Sequence, residues 1–282
     1  MLVTTTIAAV RARREELART GRRLALVPTM GALHEGHLAL VRRGWELADE
    51  VWASVFVNPA QFGPAEDFAS YPRDLDADRA LLEREGATLL FAPSTKEIYP
   101  RPPATTLDLA DLTAGLCGPH RPGHFRGVAL VVAKLLNITR PHVAVFGAKD
   151  WQQAVVIRRL VEDLDMPVSV DVCPTVREQD GLARSSRNAY LSPEERRCAP
   201  VIVRALEAGA RAFARGERGG HALEAILAGE VGTERSARLQ YAAAVDPETL
   251  QPVDVAGRRV LLALAVHVGS TRLIDNFLVE ER

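Results

Sequence analysis

The sequence predicts an α/β protein: a parallel-sheet domain over residues 1–175 and a smaller α+β domain over 176–282. Three observations predict it. Short, continuously apolar runs recur through the first part of the chain, as expected of strands covered on both faces. Segments with apolar residues at helical spacing lie between them, and such alternation builds a parallel sheet. Beyond residue 176 the order changes to consecutive helices followed by consecutive strands.

The predicted strands of the first domain are residues 24–29, 51–57, 88–92, 143–146 and 168–173. The predicted helices are 37–48, 76–85, 127–136 and 151–164. Leu38, Val41, Trp45 and Ala48 give the first of these its apolar stripe. In the second domain Ser192-Pro193-Glu194-Glu195 is a capping box with proline in the first turn. It predicts a helix running to about residue 215, and a second helix covers 221–229. Residues 239–245, 259–268 and 273–279 read as strands, with Asp246-Pro247 and Gly257 at turns.

Composition narrows the function classes. With 282 residues, 47% hydrophobic and 25% charged, the chain is ordinary for a soluble globular protein. A net charge of −1 argues against a nucleic-acid partner. Cys117, Cys173 and Cys198 are too scattered for a disulfide framework, so a cytoplasmic, reducing setting is expected. The start of the chain carries no signal-peptide pattern. The longest apolar runs, 128–136 and 260–268, are too short to span a bilayer, so no membrane partner is expected. Of 35 basic residues only Lys96, Lys134 and Lys149 are lysine. A lysine in a site-like context therefore stands out, since a compact ammonium and a planar guanidinium are not interchangeable.

Chemistry concentrates where strands end. Met30-Gly31-Ala32-Leu33-His34-Glu35-Gly36-His37 follows the first predicted strand. Gly31 and Gly36 permit a tight turn and close approach of a ligand. His34 and His37, three residues apart, share the first helical turn, where unpaired N–H groups and the helix dipole attract anions. The alternatives are a solvated helix start or two ligands of a zinc site, although H-E-G-H is not the H-E-x-x-H metal pattern. Asn58-Pro-Ala-Gln61 follows the second strand, and neutral amides there suit a small polar acid whose carboxylate must stay nucleophilic. An ordinary Asn-Pro turn is the other reading.

Gly147-Ala148-Lys149-Asp150 repeats the logic after a third strand. Lys149 suits a phosphate or a leaving pyrophosphate. Asp150 suits a ribose hydroxyl or a helix cap, and Gln153 lies one turn further on. A capped helix with a solvated lysine stays open. Arg184-Ser185-Ser186-Arg187, at the domain junction, offers hydroxyls and a guanidinium for a polyphosphate on a lid, or is a solvated linker. Asp74, Asp76 and Asp78 suit magnesium or a helix start. His120 and His124 near Cys117 are a weaker metal candidate. Neither the G-x-G-x-x-G nor the G-x-x-x-x-G-K-[ST] phosphate signature is present.

The first histidine segment resembles the H-x-G-H signature of nucleotidyltransferases and class I aminoacyl-tRNA synthetases, which gives the first domain a Rossmann-like expectation. Taken together, PTMGALHEGH, FVNPAQF, YPR, PGHFRGV, FGAKDWQQ, TVRE, DGLARSSRN and TRLIDN, spread in order over residues 28–276, closely resemble the pantoate–β-alanine ligases. The resemblance implies AMP-forming condensation of pantoate with β-alanine through a pantoyl adenylate, with ATP as co-substrate and Mg2+. It implies catalysis by His37, His34 and Lys149. It implies ATP binding by Met30, Gly31, His34, Gly36, His37, Gly147, Lys149, Asp150, Val176, Arg184, Ser185, Ser186 and Arg187. Gln61, Gln153, Asn58 and Met30 would hold pantoate. No metal ligand is assigned, and a homodimer is implied. Two positions depart from the family pattern: Arg184 stands where methionine or leucine is usual, and Ala148 where glutamate is. Rival readings are an adenylyl or cytidylyl transferase without an amide-forming step, and an ATP-binding protein without catalysis.

Overall fold

The computed structural model describes residues 1–64 and 66–281. They divide into two compact units. Residues 1–109, 121–147 and 156–174 form the first, and 110–120, 148–155 and 175–282 the second.

The first unit is built on a six-stranded, wholly parallel sheet. Its strands are β1 (Leu2–Thr4), β2 (Leu24–Thr29), β3 (Glu50–Val55), β4 (Leu89–Phe91), β5 (Val143–Gly147) and β6 (Ser169–Cys173), in the order β1-β4-β3-β2-β5-β6. The chain steps outward from β2 in both directions, so the order reverses between β2 and β5. Open sheets of this kind bind ligands beyond the carboxyl ends of the strands at such a reversal.

Alternate residues of β3 explain why the strands read as unbroken apolar runs. Trp52 enters one layer with Phe91, Val128, Val131 and Leu135, the last three on the helix His124–Thr139. Val51 and Ala53 enter the opposite layer with Val41 of the helix Glu35–Leu47 and with Val145. Trp52 and Phe91 are wholly buried, and each such side chain contributes about 1.5–3 kcal/mol. Pro28 stands inside the central strand β2 without a backbone N–H to give. Its place is tolerable because the ladder to β5 extends only through Ala25↔Val143 and Leu26↔Ala144.

The second unit carries an antiparallel sheet of β7 (Ala237–Val245), β8 (Arg259–Val268) and β9 (Thr271–Glu280), in that order. The helices Val201–Ala214 and Gly220–Val231 pack Leu206, Phe213, Leu223 and Leu227 against Leu262, Leu264 and Val266. A further cluster joins Leu261 and Val245 to Val155, Trp151, Leu112 and Leu116. No helix among the described residues is long and apolar enough to cross a membrane.

Several elements differ from the sequence reading. Strand β1 and the helix Ile7–Ala18 were not expected. The helix begun by the Ser192 capping box stops at Cys198 and resumes at Val201. Pro200 causes the break, since it has no N–H to donate and its ring crowds the preceding turn. The helix expected over 127–136 begins three residues earlier, at His124, after Gly123 with φ +81°.

Candidate active site

The loop between β2 and the helix Glu35–Leu47 is held from below. Gly31 and Ala32 both have left-handed backbones, with φ of +84° and +50°. A Cβ on Gly31 would lie 2.8 Å from Asp78 Oδ2 and 3.0 Å from Val55 Cγ1, so the position admits only glycine. Asp78 is 2% exposed. Its Oδ2 accepts from the Ala32 N–H at 3.0 Å and its Oδ1 from the Leu33 N–H at 2.7 Å. Burial pushes the Asp78 carboxyl above its usual range, and the two N–H groups pull the other way. Asp74 caps the helix Leu75–Arg84 through the Ala77 N–H.

These aspartates therefore serve the backbone, which corrects the magnesium reading of Asp74 and Asp78; Asp76 is exposed in the helix's first turn. Among the described residues no group of three or more His, Cys, Asp or Glu is placed to hold a metal. A cavity of about 300 Å³ opens beyond β3 and β4, with Met30, Gly31, Phe56, Arg73, Asp78 and Ser94 in its wall.

The two imidazoles are part of the helix start. His34 is the N-cap, and its Nδ1 accepts from the Gly36 N–H at 3.1 Å. The Nδ1 of His37 accepts from the His34 N–H at 3.3 Å. The ring centroids are 4.1 Å apart. This is a capping box made of histidines in place of serine and glutamate. It corrects the expectation of unpaired amides for an anion, because the His34 and Gly36 N–H groups are already bound. Gly36 likewise lies inside the helix and does not make a turn. The arrangement fixes the tautomer: a neutral ring that accepts at Nδ1 carries its hydrogen on Nε2. Each histidine thus carries its donor on Nε2.

The amides form a buried relay. Asn58 is 1% exposed and Gln61 7%. Tyr99 donates its hydroxyl to Asn58 Oδ1 at 3.0 Å, which turns Nδ2 toward Gln61 Oε1 at 3.0 Å and Gly127 O at 3.1 Å. Gln61 consequently presents Nε2, which lies 3.0 Å from Met30 Sδ. Burial pushes the Tyr99 phenol up to about 12, so it stays a donor. His124 contacts the Gln61 carbonyl at 2.9 Å and Arg121 at 3.0 Å, and Arg121 grips Glu66 with two bonds. His120 stacks on Tyr241. The metal reading of His120 and His124 is thereby replaced by packing and hydrogen bonding.

The remaining expected residues belong to the second unit, except Gly147, which ends β5. Ala148–Asp150 is one 3-10 turn, with Lys149 half-buried and Asp150 exposed. Asn276 Nδ2 donates to the carbonyls of Ala148 at 3.0 Å and Lys149 at 2.8 Å. Gln153 is half-buried, whereas its neighbour Gln152 is a framework residue bonded to the Cys117 N–H and the Leu112 and Gly115 carbonyls. The Val176 carbonyl accepts from the Arg184 N–H at 2.9 Å, so both groups are committed to a hairpin. Arg184 is exposed. Ser185 caps the 3-10 turn Ser186–Tyr190, its Oγ accepting from the Arg187 N–H at 3.3 Å. Met30, His34, His37, Asn58 and Gln61 therefore fall in the first unit. Lys149, Asp150, Gln153, Val176 and Arg184–Arg187 fall in the second.

A family profile described as Pantoate-beta-alanine ligase matches residues 2–278. The chain belongs to the pantoate–β-alanine ligase family. It is 54% identical to a pantothenate synthetase of Heliobacterium modesticaldum over 94% of each chain. It is 53% identical to one of Roseiflexus over 99% of this chain and all of the relative. The crystal structure of pantothenate synthetase from Thermus thermophilus superposes with a TM-score of 0.92 at 47% identity, covering 98% of this chain and 99% of that one. A pantoate–β-alanine ligase from Francisella tularensis, complexed with beta-gamma ATP and beta-alanine, superposes with a TM-score of 0.81 at 34% identity, covering 99% and 97%.

Residue by residue, this pantoate–β-alanine ligase uses groups that sequence reasoning missed. Tyr99 orients Asn58 from 41 positions away. Gly127 has no room for a side chain, since a Cβ would lie 2.2 Å from the Ala60 carbonyl oxygen. Asn276 reaches the Lys149 turn from β9. Gly127 and Asn276 lie in PGHFRGV and TRLIDN, stretches that match the ligase family although neither holds a residue assigned to the chemistry. That mismatch was the available signal.

Proposed function

We propose that this ligase joins pantoate to β-alanine through a pantoyl adenylate made at the expense of ATP. One observation carries the reading: paired imidazoles fixed to carry Nε2–H stand at the end of the central strand, in the unit that also holds the Asn58–Gln61 amide pocket. The pantoate carboxylate oxygen attacks the α-phosphorus of ATP, and the bond to pyrophosphate breaks. Charge grows on the leaving oxygens. His37, His34, Lys149, Ser185, Ser186 and Arg187 act there as preorganised donors, and removal of one such donor costs roughly 10²–10³ in rate. Met30, Gly31, Gly36, Gly147, Asp150, Val176 and Arg184 line the nucleotide, Arg184 along its backbone. The amine of β-alanine then attacks the acyl carbon, the bond to AMP breaks, and the ammonium proton passes to solvent.

Gln61 Nε2 and Gln153, with Asn58 and Met30, hold pantoate by neutral contacts that leave its carboxylate reactive. Mg2+ enters with the phosphates of ATP, in keeping with its preference for few protein ligands. The loop 180–188 acts as a lid, carried by the second unit, of which residues 176–282 are the largest part. The protein works in the cytoplasm as a homodimer; its three buried free thiols suit a reducing compartment, and the dimer rests on family likeness.

The test is AMP release with ATP, pantoate and β-alanine, each omitted in turn, on the parent and Lys149→Ala. AMP should require all three, and Lys149→Ala should lose roughly 10²–10³ in pyrophosphate release with its circular dichroism unchanged. Turnover near the parent's would remove Lys149 from the chemistry, and repeated pyrophosphate release without the amine, with no AMP set free, would favour a simple adenylyl transfer.

A further inference from the structure

Two of the family-like stretches, TVRE and TRLIDN, contain no side chain that acts as a donor in the proposed chemistry, yet they meet. Asp275 is 2% exposed and takes both Arg177 terminal nitrogens, at 2.6 and 2.9 Å. The same guanidinium lies over the Phe277 ring at 4.8 Å and donates to the Gly181 carbonyl at 2.9 Å. Arg177 and Gly181 belong to the hairpin whose rungs are Glu178 N–H to Leu182 O and Arg184 N–H to Val176 O. That hairpin runs directly into Ser185–Arg187.

Asp275 Oδ1 also accepts the Asn276 N–H, at 2.8 Å. Asn276, 9% exposed, bridges the Ala148 and Lys149 carbonyls with one amide group. Two adjacent residues of β9 thus tie together the turn that carries Lys149 and the hairpin that precedes the Ser-Ser-Arg segment.

We infer that Asn276, braced by the Asp275–Arg177 pair, is the positioning residue for Lys149. Lysine has a long flexible stem, and its ammonium is placed only as well as its own backbone is held. A displacement of about 1 Å at a reacting group costs up to 10²-fold in rate. Asn276 suits the task because a carboxamide nitrogen carries two hydrogens, one for each carbonyl. Aspartate has the shape but no donor, and its charge would repel both oxygens. The inference rests on the proposed role of Lys149 at the departing pyrophosphate. It assigns Asn276 to the first half-reaction alone, since aminolysis of the adenylate expels no pyrophosphate.

The experiment uses the full chain as parent, Asn276→Ala, Asn276→Ser, Lys149→Ala and the double variant Lys149→Ala/Asn276→Ala. Pantoate-dependent ATP–pyrophosphate exchange reads the first half-reaction. β-Alanine added to preformed enzyme-bound pantoyl adenylate reads the second. Asn276→Ala is expected to lower exchange about 10- to 100-fold while aminolysis stays within about threefold. In the Lys149→Ala background the same change should have no further effect on the residual exchange, because residues acting as one unit are not additive. Asn276→Ser, with one short donor, should fall between, and it carries the comparison if the alanine variant does not fold. Equal loss of both half-reactions, or an additive double variant, would overturn the inference. Parent-like exchange in Lys149→Ala would instead overturn the reading beneath it.

Discussion

Asp78→Ala removes the carboxylate under the histidine loop, and its cost can be worked from the geometry. Two backbone N–H groups, of Ala32 and Leu33, donate to the 2%-exposed carboxylate at 3.0 and 2.7 Å. Each buried donor left unpaired costs about 1–3 kcal/mol. Relief from burying a carboxylate offsets part of this, as the upward shift of its pKa indicates. The expected net destabilisation is about 2–4 kcal/mol. Ala32, a non-glycine residue at φ +50°, is strained and should leave that conformation once released. His34 follows two residues later, so the effect should reach the nucleotide. Urea unfolding should show the loss of stability, and the KM for ATP should rise about tenfold or more, with Asp78→Asn intermediate because it keeps one acceptor. Unfolding within about 0.5 kcal/mol of the parent together with an unchanged KM for ATP would refute the reasoning.

Other outcomes follow from the same framework. Gly127→Ala places a Cβ 2.2 Å from the Ala60 carbonyl oxygen, so the Pro59–Gln61 turn must move; steady-state kinetics should show a higher KM for pantoate, with about 1–3 kcal/mol of stability lost. Glu50 is 2% exposed and receives Arg13, Arg22, the Trp52 indole and the Thr88 hydroxyl. Glu50→Ala should lower unfolding free energy by about 2–4 kcal/mol at unchanged KM values, because it lies at the amino end of β3, away from the site. His142 accepts the Leu24 N–H through Nδ1 at 2.8 Å, and burial, then Arg14 and Arg23, lower its pKa from 6.5. A depressed histidine favours folding while neutral, so its contribution is full above about pH 6.5 and lost as pH falls below it. Urea midpoints should decline over that range, and His142→Gln should flatten the decline.

The core of the parallel sheet was legible because burial on both faces leaves a plain signature, and β2 has the bounds its apolar run suggests. In the second unit β8 likewise matches its run. Strand β1 was not legible, since Leu2–Thr4 is too short to show any pattern and owes its place to pairing with β4. The helix Ile7–Ala18 hid its few apolar contacts, Val10 and Leu17, among arginines and glutamates. The candidate side chains His34, His37, Asn58, Gln61 and Lys149 do follow the ends of β2, β3 and β5, as their order in the sequence suggests. Their supports were not legible. Tyr99, Asp78 and Asn276 act through atoms that sequence spacing never brings together. Magnesium was suggested for Asp78 because an acidic cluster looks alike whether it faces an ion or its own backbone.

The histidine capping box separates two duties within one ring. One nitrogen accepts the backbone N–H at the helix start, and the other carries the hydrogen that the proposed chemistry would use. An asparagine at position 34 could satisfy the first duty with its side-chain oxygen, so the variant would melt and scatter light like the parent while its outward donor was gone. Damage of that kind is invisible to any screen that sorts variants by solubility or heat tolerance. It also tells a chemist what to offer this surface: a lone-pair acceptor aimed at ring hydrogens, rather than an anion shaped for main-chain amides.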